Sequence, residues 1–222
     1  FGFTRMDGTS AYKASGIKGH FFGQSSFATH TVTPASGLVR VEESLPLEML
    51  APLGCGFQTG TGTVWNSLGV GAGQGILITG AGSVGLAAVM ASRISGAEPI
   101  IAADRLTRRL ELAKDLGATH IVNTTKEDLD RGVSSIAEDG LDWMVETTGD
   151  PQLEQDGLGL LSPGGRMALL AGGAGDGHSS FGVIQGDAVP HRFIPRLIEL
   201  WRQGEFPVHR LIQVYDFADI NR

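Results

Sequence analysis

The sequence predicts an α/β protein: a doubly wound Rossmann parallel sheet of six strands, with the remnants of a β module ahead of it. Three observations carry this expectation. An apolar run, Gly75-Ile76-Leu77-Ile78-Thr79, ends in Gly80-Ala81-Gly82-Ser83-Val84-Gly85 and leads into a helix-like segment from Val84 to Ser95. A second apolar run, Pro99-Ile100-Ile101-Ala102-Ala103, ends in Asp104, at the distance from the glycines where a ribose-binding acid is expected. From residue 75 to residue 185, strand-length apolar runs alternate with segments of helical period, as in a parallel sheet covered on both faces.

Taken in order, Phe1 to Gly19 is polar, glycine-rich and aperiodic, and reads as loop. Phe21 to Val32 alternates loosely and Val39-Arg40-Val41 is short and β-branched, which suggests strands of an all-β module. Pro46 to Ala51 is a short helix with Leu47 and Leu50 on one face, broken by Gly54, and Gln58 to Leu68 is a second helix. Strands are then expected at 75–79, 98–103, 120–122, 141–146, 166–171 and 181–185. Between them, Leu106, Leu110, Ala113 and Leu116 recur at helical spacing ahead of the stop signal Gly117. Further helices are expected over Lys126 to Ala137 and over Gln152 to Leu161, the latter closed by Pro163-Gly164-Gly165. After Gly186 the pattern becomes one amphipathic helix with Phe193, Leu197, Leu200 and Trp201 on its apolar side, then a possible strand at Leu211 to Val214.

Each glycine of the turn has a separate job. Gly80 permits the tight turn, Gly82 lets a pyrophosphate approach the backbone, and Gly85 lets the helix lie close to the strand. The first turn of that helix, with Ser83 and Val84, offers free N–H groups to an anion. No Gly-Lys-Ser/Thr follows, so the P-loop alternative fails.

Composition narrows the function. Seventeen basic against 24 acidic residues give a formal net charge of −7, with no basic stripe, so nucleic acid is not an expected partner. No apolar run approaches the roughly 18 residues of a membrane span and no secretory leader pattern opens the chain, so a cytoplasmic protein is expected. Cys55 is the only cysteine, which excludes an internal disulfide and a multi-cysteine metal site within these 222 residues. The chain opens on Phe1 and stops just after the helix-start pattern Asp216 to Ile220, so a longer parent is expected.

Five segments together resemble one family: Gly19 to His30, Leu53-Gly54-Cys55-Gly56-Phe57-Gln58-Thr59-Gly60, the Gly80–Gly85 loop, Glu146-Thr147-Thr148-Gly149, and Gly186-Asp187-Ala188-Val189-Pro190. The chain is similar to the zinc-dependent medium-chain alcohol dehydrogenases, most closely the aryl-alcohol (benzyl-alcohol) branch, truncated at both ends. The resemblance implies a nucleotide domain joined to a GroES-like β domain, here 1–53 as part of the catalytic domain, 54–185 for NAD binding and 186–222 returning to the catalytic domain. It also implies NAD and zinc as cofactors, a small alcohol or aldehyde substrate, and a homo-oligomer, dimer or tetramer.

Within that resemblance Cys55 looks like a zinc ligand, its alternative being a small buried hydrophobe. Thr59 looks like the residue packing near the nicotinamide. The other zinc ligands of the family are absent from the sequence, and His20 and His30 read as surface or packing residues. The chain alone is therefore expected to keep the coenzyme scaffold and lack turnover. Asp104 should bind the adenosine ribose and repel a 2′-phosphate, against the opposing pull of Arg105, which favours NAD. Arg109 aligns with a ribose-contacting position, or is a solvated helix charge. Thr147, Thr148, Ala171 and Gly172 follow strands at the ligand-binding edge and are either contacts or ordinary loop residues. Asp142 and Glu146 have only the spacing of a catalytic pair. Two rival readings stand beside this one: a zinc-free quinone reductase, and a non-catalytic NAD-binding module.

Overall fold

The computed structural model describes Gly8, His30, residues 33–173 and residues 175–220. The chain divides into two compact units, Phe1–Glu43 and Ser44–Arg222. Most of the first lies outside the described residues, including the loop expected over Phe1 to Gly19 and the strands expected over Phe21 to Val32. Its described part holds a 3₁₀ turn, Ala35–Gly37. Val39-Arg40-Val41 is not a strand.

In the second unit, six parallel strands run in the order β3-β2-β1-β4-β5-β6: β1 Ile76–Thr79, β2 Ile100–Asp104, β3 His120–Asn123, β4 Leu141–Glu146, β5 Leu161–Leu169 and β6 Ser180–Gly182. The expected doubly wound sheet is present. β1 and β2 are buried at every residue, as continuous apolar strands must be when helices cover both faces. Among the described residues, seven α-helices accompany the sheet: α1 Leu47–Leu50, α2 Gly56–Gly62, α3 Ser83–Ser95, α4 Thr107–Leu116, α5 Leu129–Ser134, α6 Pro151–Leu158 and α7 Pro190–Arg202. On one side Leu77, Ile101, Val122, Val133, Leu141, Met144 and Met167 form a contiguous core.

Several elements differ from the sequence reading. α2 begins at Gly56 and continues as a π-helix, Thr63–Leu68, ended by Gly69 in the left-handed region. α5 starts only at Leu129, because the Asn123 side chain accepts from the Thr125 N–H and hydroxyl and holds the chain in a turn. α6 ends at Leu158, and Pro163-Gly164-Gly165 lies inside β5 rather than before it. Pairing with β4 already begins at Leu141 with Leu161, then resumes at Trp143 with Arg166, so the Pro-Gly-Gly segment is a bulge. The expected final strand stops at Gly182, and residues 185–187 form a left-handed turn instead. Leu211 to Val214 has no strand partner, and Val208–Leu211 is a 3₁₀ turn.

α7 buries Phe193, Ile194, Leu197 and Ile198, so the apolar stripe is centred one residue away from Leu200 and Trp201. Phe206 beyond it is fully buried and meets Phe57 edge-on, the ring centroids 6.2 Å apart. The segment after residue 186 thus packs on α2 within the same unit as the sheet.

Candidate functional site

The strand order reverses between β1 and β4, and a crevice opens there at the carboxyl edge of the sheet. The glycine turn forms its floor. Gly80 sits at φ +88°, and a Cβ on it would lie 2.2 Å from Thr147 Oγ1. A Cβ on Gly85 would lie 1.8 Å from Gly80 O, so this residue sets how closely α3 approaches β1. A Cβ on Gly82 would meet nothing within 4 Å, because that position faces the open crevice. Gly80 therefore permits the turn and Gly85 the close approach of α3, while Gly82 leaves open space at the crevice. α3 starts at Ser83 with no side-chain cap on its first N–H groups, which leaves them and the positive end of the helix dipole for an anion.

The crevice has a volume of about 600 Å³. Asp104, Arg105, Arg109 and Thr124 line it beside β2 and β3, and Thr147, Thr148, Asp150 and Leu153 line it beside β4. Asp104 is 8% exposed. Its Oδ2 accepts from the Ala81 N–H at 2.8 Å and its Oδ1 from the Leu106 N–H at 2.8 Å. Arg109 pairs with it at 3.6 Å while remaining half in solvent. An ionised carboxylate has about four acceptor positions, so Asp104 can tie the glycine turn to the start of α4 and still accept from a ligand hydroxyl.

On the opposite wall the buried Glu146 shapes the loop after β4. Its Oε1 accepts from the Thr148 N–H at 2.6 Å and from the Thr148 hydroxyl, and its Oε2 from the Gly149 N–H at 2.9 Å. The Thr147 hydroxyl donates to Thr79 O at 2.8 Å, which holds that side chain against Gly80. Asp142 accepts from the Gly75 N–H at 2.8 Å. Both carboxylates are thus held by backbone donors, Glu146 by the Thr148 hydroxyl as well.

Some sequence candidates stand elsewhere. Ser83 and Val84 open α3, Cys55 precedes α2, and Thr59 lies within it. Ala171 and Gly172 are exposed on the loop after β5, near Gly149, and do not line the crevice. Thr124, Asp150 and Leu153 do line it and were missed. Each follows a strand or opens a helix, but only the sheet order brings them together.

A zinc ion does not fit the described residues. Cys55 is exposed, and among the described residues no three His, Cys, Asp or Glu side chains stand where they could hold a metal ion. His30 is exposed, and His20 lies outside the described residues.

Residues 83–190 match the family described as "Zinc-binding dehydrogenase". The chain is 37% identical over 236 residues to geraniol dehydrogenase of Castellaniella defragrans, covering 99% of this chain and 63% of that protein. Nearly half of this chain is thus similar to the zinc-binding dehydrogenase family. Benzyl alcohol dehydrogenase from Acinetobacter calcoaceticus superposes with a TM-score of 0.87 at 38% identity, covering 92% of this chain and 60% of that one. An alcohol dehydrogenase zinc-binding domain protein from Burkholderia ambifaria superposes with a TM-score of 0.89 at 39% identity, covering 97% and 63%. The chain therefore spans 60 to 63% of the length of these three relatives.

Proposed function

We propose that this chain is the coenzyme-binding part of an NAD-dependent, zinc-dependent alcohol dehydrogenase acting on an aryl or medium-sized alcohol or aldehyde. The observation that supports it most is Asp104, a buried carboxylate already oriented by two backbone donors and open to the crevice beside the glycine turn. When bound, NAD supplies the hydride acceptor. The chain's own residues bind and orient it. Gly82 leaves room for the pyrophosphate, whose charge meets the α3 N-terminus, with Gly80, Ser83, Val84 and Gly85 forming the turn around it. Asp104 accepts from the adenosine ribose hydroxyls, with Arg109 beside it, and its charge repels a 2′-phosphate more strongly than Arg105 attracts one. Thr147 and Thr148 form the facing wall, and Thr59, Ala171 and Gly172 belong to the nicotinamide side.

Zinc, with Cys55 as one ligand, rests on the family resemblance, and the described residues are assigned binding and orientation only. In the same reading, 54–185 is the NAD-binding domain, 1–53 and 186–222 belong to the catalytic domain, and the protein is a cytoplasmic homo-oligomer. No helix among the described residues is long and apolar enough to cross a membrane.

Calorimetric titration of the chain with NADH and NADPH tests the proposal. NADH should bind at least about 10-fold tighter, a difference of about 1.4 kcal/mol. Equal affinity for the two, or binding of neither, would refute it.

A further inference from the structure

The turn after β6 is built unlike any other described segment. Gln185 (φ 57°), Gly186 (φ 64°) and Asp187 (φ 48°) are consecutive left-handed residues, and the first and third are the only non-glycine residues at positive φ among those described. Such conformations persist where the surroundings over-determine them, and they gather at ligand clamps and active sites. Here the surroundings are α2 and its π-helical extension. The Gln58 Nε2 donates to Gly54 O at 2.9 Å and to Gln185 Oε1. The Gln185 Nε2 reaches Cys55 Sγ at 3.8 Å, Asn66 Nδ2 donates to Gly186 O at 2.9 Å, and the Ser67 hydroxyl donates to Asp187 Oδ2 at 2.7 Å. A Cβ on Gly186 would lie 2.7 Å from both Gly62 Cα and Thr59 O, so nothing larger than glycine fits the joint.

Gln58 is only 2% exposed, yet its Oε1 is the one buried side-chain polar atom without a hydrogen-bond partner among the described residues. An amide buried at that cost is a poor device for stability, and a leucine of similar size would have no orphaned acceptor. Its position gives it another use. α2 lies against the first turn of α3, where a Cβ on Gly56 would sit 3.6 Å from Val84 Cγ2 and one on Gly60 2.1 Å from Val84 O. Asp104 marks the adenosine side of the glycine turn. A dinucleotide crossing the switch point runs the other way, toward the carboxyl ends of β4 to β6, where the 185–187 turn stands.

We propose that Gln58 and Gln185 are positioning residues, an amide latch that docks the 185–187 turn onto α2 and so shapes the nicotinamide end of the crevice. The proposal rests on the dinucleotide reading above. The test compares the chain with Gln58→Leu and Gln185→Leu, titrating each with NADH and with ADP-ribose, which lacks the nicotinamide. Each variant should bind NADH about 5-fold or more weakly while ADP-ribose affinity stays within about 2-fold, with folding checked by circular dichroism. Equal weakening of both ligands would mean a general structural defect and overturn the latch, as would unchanged affinity for both in two folded variants. If the unsubstituted chain binds neither ligand, the dinucleotide reading falls and the latch falls with it. If it binds both and the variants do not separate them, only the latch is lost.

Discussion

Asp104→Asn preserves shape and removes charge, and its consequences follow from three contacts. The carboxylate accepts from the Ala81 and Leu106 N–H groups, each at 2.8 Å, with Arg109 at 3.6 Å. An asparagine has one carbonyl oxygen, so one of those N–H groups must face an NH₂ donor. Ala81 is 1% exposed, which denies its N–H water as a substitute. Leaving a buried donor unsatisfied costs about 1–3 kcal/mol. At roughly 2–4 °C per kcal/mol for a chain of this size, the melting temperature should fall by about 2–12 °C. The lost charge-assisted bond to a ribose hydroxyl adds about 1.5–3 kcal/mol of weaker NADH binding, roughly a 10- to 150-fold rise in Kd. NADPH should lose much less, because a repulsion disappears along with the acceptor. Thermal unfolding and calorimetric titration read the two effects separately. A variant that melts within about 1 °C of the parent and binds NADH within about 2-fold would show that Asp104 neither ties the turn nor meets the ribose.

The glycines give a contrasting pair. Gly82→Ala adds a methyl group to open space at φ −81°, so the fold should be unchanged while dinucleotide affinity drops about 10-fold or more; equal affinity would place the pyrophosphate elsewhere. Gly85→Ala drives its Cβ to 1.8 Å from the Gly80 carbonyl, and a cost of about 3 kcal/mol or more should appear as a melting temperature at least about 6 °C lower. In the loop before β6, the Ser180 N–H and then the His178 N–H hold the Asp176 carboxyl below the ordinary aspartate range. A lowered folded value stabilises the loop above the ordinary range, near about pH 4, and that contribution is lost as pH falls through the folded value. The Ser180 amide chemical shift should therefore titrate with a midpoint below about pH 4, and a midpoint at or above it would contradict the bonding.

Much of this was legible along the chain because its causes are local. The strand, glycine turn and helix from Ile76 to Ser95 are adjacent in sequence; Gly80 is demanded by its own φ of +88°, Gly85 by the nearby Gly80 carbonyl, and Gly82 faces the crevice. The parallel sheet followed from continuous apolar runs, since only strands buried on both faces can be apolar at every position. Local signals misled where a distant partner outweighed them. Pro163-Gly164-Gly165 reads as a break before a strand, yet pairing between Leu141 and Leu161 starts upstream of it and absorbs it as a bulge. Residues 183–185 read as strand, yet the docking of residues 185–187 on α2 withdraws the chain from the sheet after Gly182.

The sequence by itself thus determined the fold class, the glycine turn and the acid at the end of β2, because period, turn chemistry and spacing are properties of neighbouring residues. Only the tertiary structure decided that Thr124, Asp150 and Leu153 line the same crevice as Asp104, that Glu146 is a staple for the Thr148 loop, and that Gln58 meets Gln185 across 127 positions. The physical reason is range. A hydrogen bond or van der Waals contact acts over a few ångströms, and which residues come that close is set by the order of the strands, which no single stretch of sequence contains.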